Sequence, residues 1–141
     1  MNKGWLERAL VQFELALKLN PKYPEPYFFH GTVYLKKGLL DQAIEKYKQT
    51  ISLKPSHADA HYNLGLVYLR QGLIDEAISE WEDVVKLKPD DVNSRYNLAV
   101  AYYNYGKIKH AITHLEDVLK IKPDMYQAKS LLQMVYRMRD K

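Results

Sequence analysis

Apolar residues recur along this chain at helical spacing, and the runs are broken at regular places. In one stretch Leu64, Val67 and Tyr68 precede a glycine, Gly72, and Ala77, Ile78, Trp81 and Val85 follow it. Steps of three and four put such residues on one side of a helix. Each run therefore predicts a helix with one apolar face. A proline closes every second run: Pro21, Pro55, Pro89 and Pro123 stand 34 residues apart, ending the phrases Leu19-Asn20-Pro21, Leu53-Lys54-Pro55, Leu87-Lys88-Pro89 and Ile121-Lys122-Pro123. Proline lacks the amide donor and clashes with the preceding turn, so it stops a helix.

Other columns keep the same step. Gly4, Gly38, Gly72 and Gly106 form one, and Ala9, Ala43, Ala77 and Ala111 another. Tyr34, Tyr68, Tyr102 and Tyr136 form a third. A small-residue column runs Gly31, Gly65, Ala99 and ends at Gln133. Mid-repeat glycines suit a helix end that must turn sharply, and small residues let two helix axes approach. Each unit thus predicts a helical hairpin that cannot bury its apolar side alone and stacks on its neighbours. Acidic Asp41, Asp75-Glu76 and Glu7 open the second helices, where a carboxylate complements the helix dipole. Lys109 breaks that pattern, which predicts a weaker start for the last second helix.

The pattern resembles the tetratricopeptide repeat family, whose period is the same. The segment Ala58 to Asp91 matches best, with Tyr62-Asn63-Leu64-Gly65, Tyr68, Gly72, Asp75-Glu76-Ala77 and Pro89. The resemblance implies an all-α, right-handed α-solenoid of antiparallel helical hairpins with about eight helices, alternately A and B. It divides a single domain, 1–141, into a half repeat (1–23, helix B only), three repeats (24–57, 58–91 and 92–125) and a capping helix (126–141). The chain departs from the family early in the A helices. Tyr27, His61, Arg95 and Lys129 stand where a large apolar residue is usual, so packing is expected to weaken toward the C-terminus. His30 replaces the leucine of Leu64 and Leu98, as a core histidine or a pH-sensitive joint.

In this family the A helices line the concave inner surface, and ligands lie along it. The resemblance therefore implies a peptide-binding groove made of Phe28, Phe29, Thr32 and Lys36, then Tyr62, Asn63, Leu66 and Arg70, then Tyr96, Asn97, Val100, Tyr103 and Asn104. Aromatic side chains give contact area at low entropic cost, and asparagine offers a donor and an acceptor to a peptide bond. Helices about 8–10 Å apart make such a groove about 30–60 Å long. An extended segment of on the order of ten residues would fill it. Members that grip chaperone C-terminal tails use a carboxylate clamp of lysines, an arginine and asparagines. Here Asn63 fits, but the cation columns hold Phe28 or Tyr62, Asp59 or Asn93, and Asn97, so the clamp is absent. Lys36 and Arg70 would receive an acidic residue instead.

The half repeat at the start leaves a B helix without its A partner. Trp5, Leu6, Leu10 and Phe13 are then candidates for self-association. Two explanations fit: the chain is a piece of a longer protein, which is preferred, or this face docks another copy. At the other end, Met134 and Met138 give the capping helix an adaptable outer side.

Composition narrows the function classes. Hydrophobic residues are 47% and charged residues 27% of 141, the balance of a folded globular chain. The absence of cysteine excludes disulfides and thiol chemistry. The start, Met1-Asn2-Lys3-Gly4-Trp5, shows no signal-peptide core, and no apolar run is long enough to span a membrane, so a cytoplasmic location is expected. The net charge of +4 and the pI near 9.1 come from interleaved charges, as in Glu45-Lys46, and predict solvated faces rather than a nucleic-acid footprint. His110 and His114, with Asp117, have the spacing of metal ligands, as do His57 and His61, but an exposed convex site would lack supporting groups. No metal or other cofactor is expected. No phosphate loop, serine elbow or zincin motif is present. The expected function is a non-catalytic scaffold or adaptor that binds a protein or peptide partner. The alternatives are a self-assembling homo-oligomeric module and a recruiting fragment of a larger enzyme.

Overall fold

In the computed structural model, residues 3–141 are described, and Met1 and Asn2, the start of the expected half repeat, lie outside them. The described residues form eight helices and no strand. They are α1 (Lys3–Leu19), α2 (Pro24–Lys37), α3 (Leu40–Leu53), α4 (Ala58–Arg70), α5 (Ile74–Leu87), α6 (Val92–Asn104), α7 (Ile108–Ile121) and α8 (Tyr126–Arg139). The chain divides into two compact units, Met1–Ala77 and Ile78–Lys141, with the boundary inside α5.

The punctuation works as the sequence predicts at three of the four column glycines, whereas Gly4 lies within α1. Gly38, Gly72 and Gly106 have φ of 77°, 78° and 74°, the left-handed region that favours glycine. At Gly38 the amide bonds back to the Leu35 carbonyl (3.0 Å) and the Leu39 amide to that of Tyr34 (2.9 Å), which closes the end of α2. Pro24 occupies the first turn of α2, where its missing N–H costs nothing. The start of α6 is capped by the Asp91 carboxylate, which accepts the Ser94 amide at 3.2 Å. His57 caps α4 in the same way: its Nδ1 accepts the Ala60 amide at 3.1 Å.

In the first unit α2 packs on α1, α3 and α4, and α3 packs on α4. Leu6 and Leu10 of α1 are buried with Val33 of α2, and Ala9, Phe13 and Tyr34 close around them. The Lys37 ammonium donates to the Glu7 carboxylate at 2.5 Å, a second tie between α1 and α2. That neighbour holds the Glu7 carboxyl below its usual value. The small column is explained by close packing of α2 on α3. A Cβ on Gly31 would lie 2.9 Å from Tyr47 Cε1, nearer than atoms pack, and a tight 3.3 Å from Lys46 Cβ. In the second unit α6 pairs with α7, and α7 with α8. Leu98, Ala99, Ala111, Leu115, Val118, Ala128 and Val135 are buried there.

The A-helix positions that depart from the family are polar but not idle. His61 Nε2 bonds the Pro55 carbonyl at 2.8 Å, and Arg95 Nε donates to the Pro89 carbonyl at 2.7 Å. Each reaches back six residues to the helix-stopping proline. Arg95 Nη1 also donates to Asp117 at 3.1 Å. At Lys129, the last of the column, the side chain is exposed.

Candidate interaction surface

The candidate face in the first unit is built on α2 and α4. Thr32 and Lys36 lie one turn apart on α2, and Asn63, Leu66 and Arg70 follow one another by three and four along α4. These spacings keep each set on one side of its helix. The two helices are joined across this side by a residue of neither. Tyr47, on α3, is wholly buried, and its ring extends to the seam. Its hydroxyl lies 3.0 Å from Thr32 Oγ1, and Asn63 Nδ2 donates to it at 3.3 Å. Thr32 Oγ1 itself donates to the Phe28 carbonyl at 3.1 Å. With that donor spent, the Tyr47 hydroxyl donates to Thr32 and accepts from Asn63. Burial pushes the Tyr47 phenol up, partly offset by its bonds to Thr32 and Asn63, so the hydroxyl keeps its proton.

Aromatic rings continue the face at the start of α2. Phe28 and Phe29 meet edge to face at 5.4 Å, and Phe28 also contacts Tyr47 (5.8 Å) and His57 (4.7 Å). Phe29 stacks on Phe13 of α1 at 5.7 Å, with 16° between the planes. Phe29 is nonetheless 46% exposed. Glu25 is held by His57 Nε2 at 2.9 Å. Because Nδ1 of His57 accepts the Ala60 amide, Nε2 carries the proton and donates. Tyr62, Asn63 and Leu66 are half-buried, whereas Lys36 and Arg70 are exposed.

The second unit offers the corresponding positions on α6. Tyr96, Asn97, Val100 and Tyr103 are half-buried and Asn104 is exposed. The Tyr103 hydroxyl reaches Met134 Sδ on α8 at 3.4 Å.

The self-association candidates separate into two kinds. Leu6 and Leu10 are buried in the contact with α2, and Phe13 supports Phe29. They are committed within the unit, and of the four only Trp5 is exposed. The other exposed apolar residues of α1 are Val11, Leu15 and Leu19. Val11 and Leu15 fall where the later B helices carry Glu45, Ser79, Thr113 and Gln49, Asp83, Asp117. As for the histidine pair on α7, both rings lie against Tyr102, at 5.0 and 5.7 Å, beside a shallow depression of about 160 Å³. Asp117, the conceivable third ligand, is engaged by Arg95 and Lys120. Tyr102 donates to Glu82, and burial with that carboxylate pushes its phenol up to about 12.

Tyr47 is the residue that sequence reasoning misses. It stands on a B helix, in the column Phe13, Tyr47, Trp81, Leu115, and that column reads as packing. Its hydroxyl, alone in the column, was the available signal.

A family model described as TPR repeat matches residues 31–72, and one described as tetratricopeptide repeat matches residues 56–124. This chain belongs to the tetratricopeptide repeat family. No curated protein matches it. Among solved structures, a crystal structure of MamA is 26% identical, with a TM-score of 0.87 over 98% of this chain and 81% of that one. YrrB, described as a TPR protein with an unusual peptide-binding site, is 23% identical, with a TM-score of 0.84 over 97% and 71%. The first TPR of Spaghetti (RPAP3), bound to the HSP90 peptide SRMEEVD, is 21% identical, with a TM-score of 0.77 over 84% and 94%. These likenesses establish an all-α helical repeat fold, and the two family matches support a protein–protein interaction scaffold. No helix among the described residues is long and apolar enough to cross a membrane.

Proposed function

We propose that this chain is a non-catalytic adaptor that holds a polypeptide segment against its A helices, across α2 and α4 in the first unit; in the second unit α6 carries the corresponding positions. The observation that carries this reading is the tie from Tyr47 to Thr32 and Asn63. An amide held through its nitrogen keeps its oxygen as an acceptor for a peptide N–H. The amide is already ordered, so less freedom is lost when a partner binds. Phe28 and Phe29 offer an apolar platform beside it. At the far end of each helix, exposed Lys36 and Arg70 suit an acidic side chain. YrrB, described with a peptide-binding site, and the RPAP3 domain, described bound to a peptide, share the fold, and that supports the class of ligand without naming it.

The test is selection of peptides from a random library on the intact chain, followed by affinity measurement on the double variant Asn63→Ala, Asn97→Ala. Two lost hydrogen bonds, each about 0.5–1.5 kcal/mol, weaken binding by about 5-fold to 150-fold. Circular dichroism should stay unchanged. Equal affinity of the selected peptides for both proteins refutes the reading.

A further inference from the structure

His30 is buried in the first unit, 3% exposed, where α1 lies over α2. Its ring stacks on Tyr34 of its own helix at 4.6 Å and faces Phe13 of α1 at 6.5 Å. Among the described residues neither ring nitrogen has a hydrogen-bond partner. The equivalent positions in the next repeats are Leu64 and Leu98, 1% and 0% exposed. A site built for leucine therefore holds an imidazole, and an apolar surround with no acceptor opposes protonation.

We propose that His30 is an acid-labile joint: when its imidazole takes a proton, α1 lifts from α2 and uncovers Leu6, Leu10 and Val33. Lifting is the least costly way to hydrate the ring. The principal contact of α1 is with α2, and what holds it is the small cluster of Leu6, Leu10 and Val33 with the Glu7–Lys37 pair. Phe13 leaves Phe29 in the same movement, so the proposed interaction face changes with it.

The charges around the ring agree with this direction. Burial holds the His30 imidazole below its usual value. Lys46 on α3 adds to that, and Glu14 on α1 opposes it. The titratable groups of α4, which also packs on α2, are Asp59, His61, Tyr62, Tyr68 and Arg70, and none of them contributes to the shift. With α1 released, the imidazole regains an ordinary value near 6.5. The released form then binds more protons than the docked form below that pH. Docking is complete above about 6.5 and is lost as the pH falls toward the depressed value of the docked ring.

Native-state hydrogen exchange on the intact chain between pH 7.5 and 5.0, corrected for intrinsic rates, tests this. Above pH 5 Glu7, held low by Lys37, stays charged and does not confuse the result. The opening constant for the α1 amides should rise below about pH 6.5 by up to tenfold per unit, while the α3 amides keep theirs. In His30→Leu, which keeps His57 and His61, the rise should vanish. His30→Gln, uncharged throughout, should be equally flat and serves if the leucine variant misfolds. The C2 proton of the His30 imidazole in the unaltered protein should titrate together with α1 opening. A pH-independent α1, an unchanged slope in the His30 variants, or an imidazole titrating at its ordinary value with α1 still protected would each overturn the proposal.

Discussion

Replacing Tyr47 with phenylalanine removes one oxygen and nothing else, which makes it a sharp probe of the seam between α2 and α4. The ring stays, so the packing against the Gly31 column is kept and no cavity opens. Two hydrogen bonds go, to Thr32 at 3.0 Å and from Asn63 at 3.3 Å. Neither partner is left stranded. Thr32 Oγ1 still donates to the Phe28 carbonyl, and Asn63 is half-buried, within reach of solvent. The loss should therefore lie near the net value of two hydrogen bonds, about 2 kcal/mol, without the further penalty of an abandoned buried group. Urea unfolding should show a midpoint lowered by about 1 M with an unchanged slope, for a slope of about 2 kcal/mol/M. A cycle with Asn63→Ala isolates the pair, and a coupling of at least about 0.5 kcal/mol is expected. Additivity within about 0.3 kcal/mol, or no change on Tyr47→Phe, would mean that the tie does not hold Asn63.

Gly31→Ala places a methyl against the pinned Tyr47 ring. Overpacking of about 1–3 kcal/mol outweighs the roughly 1 kcal/mol gained from helix propensity, so urea titration should show a less stable protein. Asp91→Ala removes the acceptor for the Ser94 amide and should cost about 1 kcal/mol by the same measurement. Asp90→Ala, whose side chain is exposed, should stay within about 0.5 kcal/mol and serves as its control.

The architecture was legible because its determinants are local. Prolines that stop helices and glycines that need a positive φ recur every 34 residues, and the structure places helix ends at both. The small column was legible too, since Gly31 has no room for a side chain. What escaped was chemistry joining residues of different columns. His61 and Arg95 look like lapses in an apolar column, yet each spans six residues to a proline carbonyl. His57 does not read as a helix cap, because cap propensity favours Asp, Asn, Ser and Thr, as at Asp91. Leu6 and Leu10 read as an open face, but periodicity alone does not say which neighbour a stripe meets, and α2 takes them. For Tyr47, period marks the ring as core and is blind to where the hydroxyl ends.

The Tyr47 hydroxyl ties recognition to the interior. An asparagine fastened to a buried phenol cannot drift in sequence without loosening the scaffold beneath it. Phe29 and Arg70, which reach solvent, are under no such bond to the middle of the molecule among the described residues. Retargeting this surface, by selection or in the laboratory, is therefore cheapest at those two, with the polar seam between them left as a constant grip on whatever main chain arrives.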